Sequence, residues 1–187
     1  MAYYSDLSAY TYGGDRYFSV PDTVNVGWLS SEHLFKRATP SEELLDRVWS
    51  LSKVSVAPAK GRHYCEFCAE PDATIGRGDE HLKLGRAEIR VFSTHGRIYA
   101  APNLLYHYIC AHGYLPPVEF VAPLVGGFAP PDREYFEQVN KVDRMWNWTD
   151  GQDKSRLIRL TRDGFVCDDE YWGKPQFFRP WEFRKIV

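Results

Sequence analysis

Two short stretches decide how this chain folds: Cys65-Glu66-Phe67-Cys68 and His107-Tyr108-Ile109-Cys110-Ala111-His112. The first is a C-x-x-C pair and the second an H-x₄-H pair. Zinc accepts thiolates and neutral imidazoles in a tetrahedron and imposes no geometry of its own. A C-x-x-C pair sits on a tight turn whose amides can donate to the sulfurs. The histidines fall near the end of a helical pattern, where Leu104, Leu105, Tyr108 and Ile109 make an apolar face and Gly113 gives the stop. Zinc would therefore fix a turn against a helix, with a β-hairpin between them.

Histidines five residues apart are separated by about 140° around an ideal helix. Both rings can reach one ion only if the last turn departs from regular geometry. Cys110, one turn after His107, could replace His112, and His63, just before the cysteines, could also approach. Four protein ligands make a closed structural site; three would leave a position for an activated water. The plainer readings are a reduced cysteine pair without metal, a redox pair, and a satisfied core histidine at position 107. A redox pair is disfavoured because the C-x-x-C does not open an amphipathic helix after a strand. His33, His81 and His95 sit in polar contexts and read as solvated. Cys167 reads as a small buried hydrophobe.

Outward from the ligands, Thr39 is expected to cap a helix, with Pro40 first and Glu42 closing a capping box. Leu44, Leu45, Val48 and Leu51 give that helix its apolar face, with Trp49 at the edge. Pro71 to Glu80 reads as an exposed loop. Ala87 to Phe92 alternates as a half-buried strand, Thr94-His95-Gly96 turns, and Arg97 to Ala101 returns. Pro102 is expected to open the histidine helix. Tyr17 to Val20 and Val24 to Val26 read as short extended pieces, and Val118 to Leu124 as a short segment.

Gly126-Gly127 and Pro130-Pro131 punctuate the chain. Beyond them Tyr135, Phe136, Val139 and Val142 pattern as a helix, and Arg156 to Cys167 as a hairpin about Asp163-Gly164. The expected class is α+β: a zinc-stabilised domain over 1–125, and an aromatic-rich extension over 126–187 that can pack on it as one unit.

The stretches Asn25-Val26-Gly27-Trp28-Leu29, the Glu66-centred C-x-x-C, Ala87 to Val91, Tyr99 to Tyr108 and Ala111-His112-Gly113-Tyr114 resemble an uncharacterised family of small bacterial cytosolic proteins. The resemblance spans about residues 3–124. It implies that Cys65, Cys68, His107 and His112 belong together and that Cys110 does not; it implies no activity.

Charge and composition narrow the function. Residues 1–125 carry 12 basic and 14 acidic side chains and residues 126–187 carry 11 of each, so neither part has the positive excess that phosphate neutralisation needs. The histidine helix has no Lys or Arg and is a core helix, not one that reads bases. No apolar run is long enough to span a bilayer and no signal peptide is evident, so the expected compartment is the cytoplasm. None of the common hydrolase motifs is present. The expected function is a non-enzymatic, protein-binding module with structural Zn²⁺ and no catalytic residues. Its partner would be a toxin, as for an immunity protein, or a regulatory protein, with no membrane and no nucleic acid. The alternatives are a zinc hydrolase or nuclease, helped by Glu66, Glu88 or His95, and a nucleic-acid-binding zinc protein.

Overall fold

The structure is a computed structural model that describes residues 3–12, 22–54, 56–57, 61–69, 74–145, 158–161 and 164–167. The class is α+β, as expected. The elements run β1 (Thr23–Asn25), α1 (Glu42–Ser52), β2 (Thr74–Arg77), β3 (Glu80–Lys83), β4 (Glu88–Phe92), β5 (Ile98–Pro102), α2 (Leu105–His112), α3 (Val118–Gly126), α4 (Arg133–Met145), β6 (Ile158–Thr161) and β7 (Gly164–Cys167).

The centre is a three-stranded sheet in the order β1-β5-β4. The β4–β5 hairpin pairs Ile89 with Ala101 and Val91 with Tyr99, and its turn is held by Ser93 N–H on the Arg97 carbonyl at 2.9 Å. Gly96, at φ 85°, supplies the left-handed residue the turn needs. β1 runs parallel to β5, a pairing the local pattern of either strand does not announce. Outside β1, residues 4–10 run alongside with a turn at Asp6 and Leu7, held by Leu7 N–H on Asn25 O and Tyr10 N–H on Thr23 O.

Helix α1 starts at Ser41 rather than Thr39. Ser41 is extended, and its hydroxyl accepts from Leu44 N–H at 3.2 Å. The chain before it is held straight by Ala38 N–H on Gly113 O and Leu115 N–H on Lys36 O, so the helix cannot open earlier. Glu42 and Glu43 lie in the first turn, where carboxylates suit the helix dipole. Leu44, Leu45, Val48, Trp49 and Leu51 are all buried, as their spacing predicts.

Three further expectations are corrected. Pro71 to Glu80 is not a loop throughout, because Thr74–Arg77 and Glu80–Lys83 form a hairpin around Gly78 and Asp79. Strand β4 is not half-buried: Glu88, Ile89, Arg90 and Val91 are all buried, because Tyr10 covers the polar face that alternation would leave to solvent. Pro102 closes β5 opposite Glu88 instead of opening α2. Asn103 N–H still reaches Ala87 O at 2.9 Å, and the helix begins only at Leu105.

Glu88 and Arg90 form an ion pair at 2.7 Å, with side-chain exposures of 3% and 1%. The Tyr10 hydroxyl donates to both Glu88 oxygens at 2.9 and 3.0 Å. Burial pushes the Glu88 carboxyl up while Arg90 and Tyr10 pull it down.

Val118 to Leu124 lies in helix α3, which carries Pro123 and buries Phe120 and Leu124. Helix α4 contributes Tyr135, Phe136 and Val139 to the same core, and the Tyr135 hydroxyl donates to the Arg90 carbonyl at 3.3 Å. Strands β6 and β7 pair antiparallel, Ile158 with Cys167 through Thr161 with Gly164. The expected strand at Tyr17 to Val20, the Asp163 turn residue and the burial of Val142 and Cys167 lie outside the described residues.

Gly85 is the glycine on which the site depends. It has φ 88°, and an added Cβ would stand 2.1 Å from the His63 carbonyl oxygen. His63 N–H donates to Gly85 O at 2.7 Å, so Gly85 seats the segment that leads to Cys65. Gly85→Ala is expected to cost about 1–3 kcal/mol from backbone strain alone, with the overlap added. Urea unfolding checks this; a loss below about 0.5 kcal/mol, the range of an ordinary surface change, would contradict it.

Candidate metal centre

Cys65 and Cys68 flank a turn at Glu66 and Phe67. Phe67 N–H points back to Cys65 Sγ at 3.4 Å, the amide-to-sulfur contact expected of such a turn. The Glu66 carboxylate accepts from Ser31 N–H at 2.9 Å and from the Ser31 hydroxyl at 3.2 Å, tying the turn to the loop before α1. These bonds hold the Glu66 carboxyl below its ordinary range.

The histidines come from α2, and its last turn is widened. Gly113 N–H reaches the carbonyls of both Ile109 and Tyr108, and Tyr114 N–H closes on Tyr108 O at 3.0 Å. Bonds reaching five or six residues back rotate the backbone less per residue than an α-turn does. His107 and His112 converge at this end of the helix, with their Nε2 atoms 3.2 Å apart.

The four donor atoms lie within 4.8 Å of one another. Cys65 Sγ is 3.1 Å from His112 Nε2, and Cys68 Sγ is 3.3 Å from His107 Nε2 and 3.4 Å from His112 Nε2. A zinc tetrahedron with Zn–S near 2.3 Å and Zn–N near 2.0–2.1 Å has N–N and N–S edges of about 3.3–3.6 Å. The observed separations of 3.1–3.4 Å lie within or slightly below that range. The residues therefore fit a metal ion such as zinc in number, chemistry and spacing.

Of the alternatives, Cys110 is exposed and outside the group. His63 is also outside it, with its Nε2 buried and without a hydrogen-bond partner. His33, stacked on Tyr3 with centroids 3.6 Å apart, is exposed, as are His81 and His95. Among the described residues this is the one group of His, Cys, Asp or Glu arranged to hold an ion.

A set of aromatic side chains around the centre was not singled out by sequence reasoning. Phe67 packs on Phe35 at 5.3 Å, His112 at 5.4 Å and Tyr108 at 6.0 Å between ring centroids. Phe35 in turn meets Tyr114, and the Arg37 guanidinium lies over its ring at 4.8 Å. Phe67 could have been found from its place inside the C-x-x-C turn; nothing local points to Phe35.

Burial sets the proton chemistry. The Cys65 thiol is pushed up to about 11, against the pull of Phe67 N–H. His107 is pushed down by burial and then by His112, and His112 by burial and then by Arg37. Near neutral pH both rings are ready as neutral ligands, whereas Cys65 must lose a proton to bind. Zinc affinity should therefore rise by about tenfold or more per pH unit from pH 6.5 to 8. Competition with a chromophoric chelator measures this, and a flat profile would mean that neither cysteine ligates.

The family model described as "Domain of unknown function (DUF7919)" matches residues 2–125, a span that holds all four donors. The chain belongs to this family. The DUF7919 region thus includes β1 through most of α3, with both halves of the metal centre. Comparison with curated proteins and with solved structures yields no match. Among the described residues, no helix is long and apolar enough to cross a membrane.

Proposed function

We propose that this protein is a non-enzymatic, zinc-stabilised module that binds another protein, as a bacterial immunity protein binds and neutralises a toxin. The observation that carries the non-enzymatic part is the four-donor cluster, which supplies every position of a tetrahedral ion from the protein and so suits a structural site. In this reading Cys65, Cys68, His107 and His112 clamp the turn to α2, and 1–125 is the unit the clamp organises. The rest of the chain extends it.

The hydrolase alternative has less support. The carboxylates it would use are engaged elsewhere, Glu66 on Ser31 and Glu88 on Arg90 and Tyr10. His95 stands exposed on the β4–β5 turn. A nucleic-acid role has less support still, since Leu105 to Ile109 of α2 are buried. Protein recognition is supported by large apolar side chains left on the surface. Leu34 is fully exposed, and Val118, Phe128 and Tyr64 are exposed by 72%, 52% and 49%. Such side chains can anchor an interface by filling pockets on a partner.

Two experiments separate these readings. In the cobalt-substituted protein the visible spectrum should not change with azide or thiocyanate, because a closed site has no position for them. An anion-dependent spectrum would support the open, catalytic site. A pull-down from the host's own lysate should retain a partner that the Leu34→Asp variant loses. A neighbouring-gene toxin as that partner would establish the immunity role; no Leu34-dependent partner would overturn the recognition reading.

A further inference from the structure

A cavity of about 310 Å³ opens between residues 61–63, residues 85–88 and the end of β5. Trp28, Tyr12, Pro102 and Leu104 give it an apolar wall, with the Trp28 and Tyr12 ring centroids 4.9 Å apart. The wall is preformed. Trp28 donates its indole N–H to the Ala100 carbonyl at 3.1 Å, and the Tyr4 ring packs edge-on against it at 5.7 Å. An apolar cavity of about 150 Å³ accommodates benzene, so this one has room for two fused rings. Its volume is at the low end of small-molecule sites, about 300–1,000 Å³. Ala57, also on the lining, holds a left-handed φ of 48°, the kind of backbone strain that gathers at ligand sites.

The charged side chains on the lining are engaged. Glu88 pairs with Arg90 and accepts from Tyr10. Arg62 donates to the Leu84 carbonyl at 2.6 Å, and neither it nor Arg86 is without a partner. The unmatched polar groups are uncharged ones. The Tyr12 hydroxyl makes no hydrogen bond with the described residues, and His63 Nε2 is buried with no hydrogen-bond partner. A buried polar group in that state costs stability unless a bound group satisfies it. A hydroxyl both donates and accepts, and a neutral imidazole carries one N–H and one lone pair. A ligand that satisfies both residues must bring a donor and an acceptor. It must be flat to suit the wall, and it needs no charge because the lining has none to match.

We propose that this cavity binds a neutral fused-ring lactam, its ring body against Trp28 and Tyr12 and its polar edge hydrogen-bonded to the Tyr12 hydroxyl and His63 Nε2. A ring lactam sets an N–H beside a C=O in one plane, which is the donor-and-acceptor edge these two side chains call for. Its two rings fill the volume without adding a charge that the lining would have to balance. The site stands apart from the protein-recognition reading above, which does not need it, so either can fail without the other.

Calorimetric titration of the full-length, zinc-loaded protein tests this with 2-quinolone. N-methyl-2-quinolone is the control that keeps the frame but lacks the N–H, and 2-naphthoate is a flat two-ring anion. 2-Quinolone should bind about fivefold or more tightly than its N-methyl form and more tightly than 2-naphthoate, with little dependence on salt. Tyr12→Phe and His63→Phe each remove a polar group and keep a ring. Each should weaken 2-quinolone binding by about threefold or more, and the double variant should no longer prefer 2-quinolone over the N-methyl form. A mere packing defect would weaken both compounds alike and leave that preference in place. Zinc content and melting temperature show that each variant is folded, and Tyr12→Phe carries the test alone if His63→Phe does not fold. No 2-quinolone binding at millimolar concentration, equal affinity for the N-methyl form, tighter binding of 2-naphthoate, or an undiminished preference in the folded variants would overturn the proposal.

Discussion

Cys68→Ser and His107→Ala should each abolish stoichiometric zinc and lower the melting temperature by about 6–20 °C. The size follows from what the four donors join. Cys68 belongs to a turn and His107 to α2, and Cys68 Sγ meets His107 Nε2 at 3.3 Å. Structural zinc contributes about 10–16 kcal/mol in small peptides, against a whole-domain stability of about 5–15 kcal/mol. This chain also buries an apolar core of its own, including Val48, Leu51, Ile89 and Phe120, so the expected loss is smaller, about 3–5 kcal/mol. At about 2–4 °C per kcal/mol for a chain of this size, that gives the stated shift. Cys110→Ser is the matched control, since Cys110 is exposed and outside the group. It should keep full zinc content and wild-type melting. Unchanged melting in both ligand variants would reject the clamp.

Arg90→Ala or Glu88→Ala should destabilise the protein by about 3–5 kcal/mol, because either leaves a buried charge without its partner. The pair lies on β4, with side-chain exposures of 1% for Arg90 and 3% for Glu88, so water cannot replace what is lost. Tyr10→Phe should cost less, about 1–2 kcal/mol, since it removes a hydrogen bond and leaves the ion pair in place. Urea unfolding of the three variants gives the ranking. Equal, small losses of about 0.5 kcal/mol would mean that solvent reaches the pair, contrary to its burial.

The cluster of four donors was the most legible part of the chain because its signal is local. Two cysteines at x₂ spacing, and two histidines beside a glycine stop, carry their meaning in residue type and short spacing. The five-residue histidine separation led one to expect an irregular last turn; α2 stays helical through His112, and Gly113 N–H then reaches Tyr108 O as well as Ile109 O. Helix α1 was legible for a similar reason, since its periodicity reports one buried face, and the β4–β5 hairpin from its Thr94-His95-Gly96 turn, although β4 is buried on both faces.

What escaped reading depends on partners distant in sequence. Strand β1 is three residues long and pairs in parallel with β5, more than seventy residues away. The β2–β3 hairpin lies in a polar, glycine-bearing stretch, where Gly78-Asp79 was a turn signal without strong apolar flanks. The choice of Ser41 over Thr39 was settled by hydrogen bonds from Ala38 and Leu115, which hold the preceding chain extended. The burial of Glu88 and Arg90 required Tyr10, nearly eighty residues earlier, to close over them. Phe35 joined the centre through the same kind of long-range packing.

The central claim is that one zinc ion is held by Cys65, Cys68, His107 and His112 in a closed tetrahedron. Zinc-edge X-ray absorption on the purified, stoichiometrically loaded protein tests it most directly. The account predicts two sulfurs at about 2.3 Å and two nitrogens at about 2.0–2.1 Å, with no oxygen in the shell. A shell with an oxygen ligand, or with a single sulfur, would contradict it.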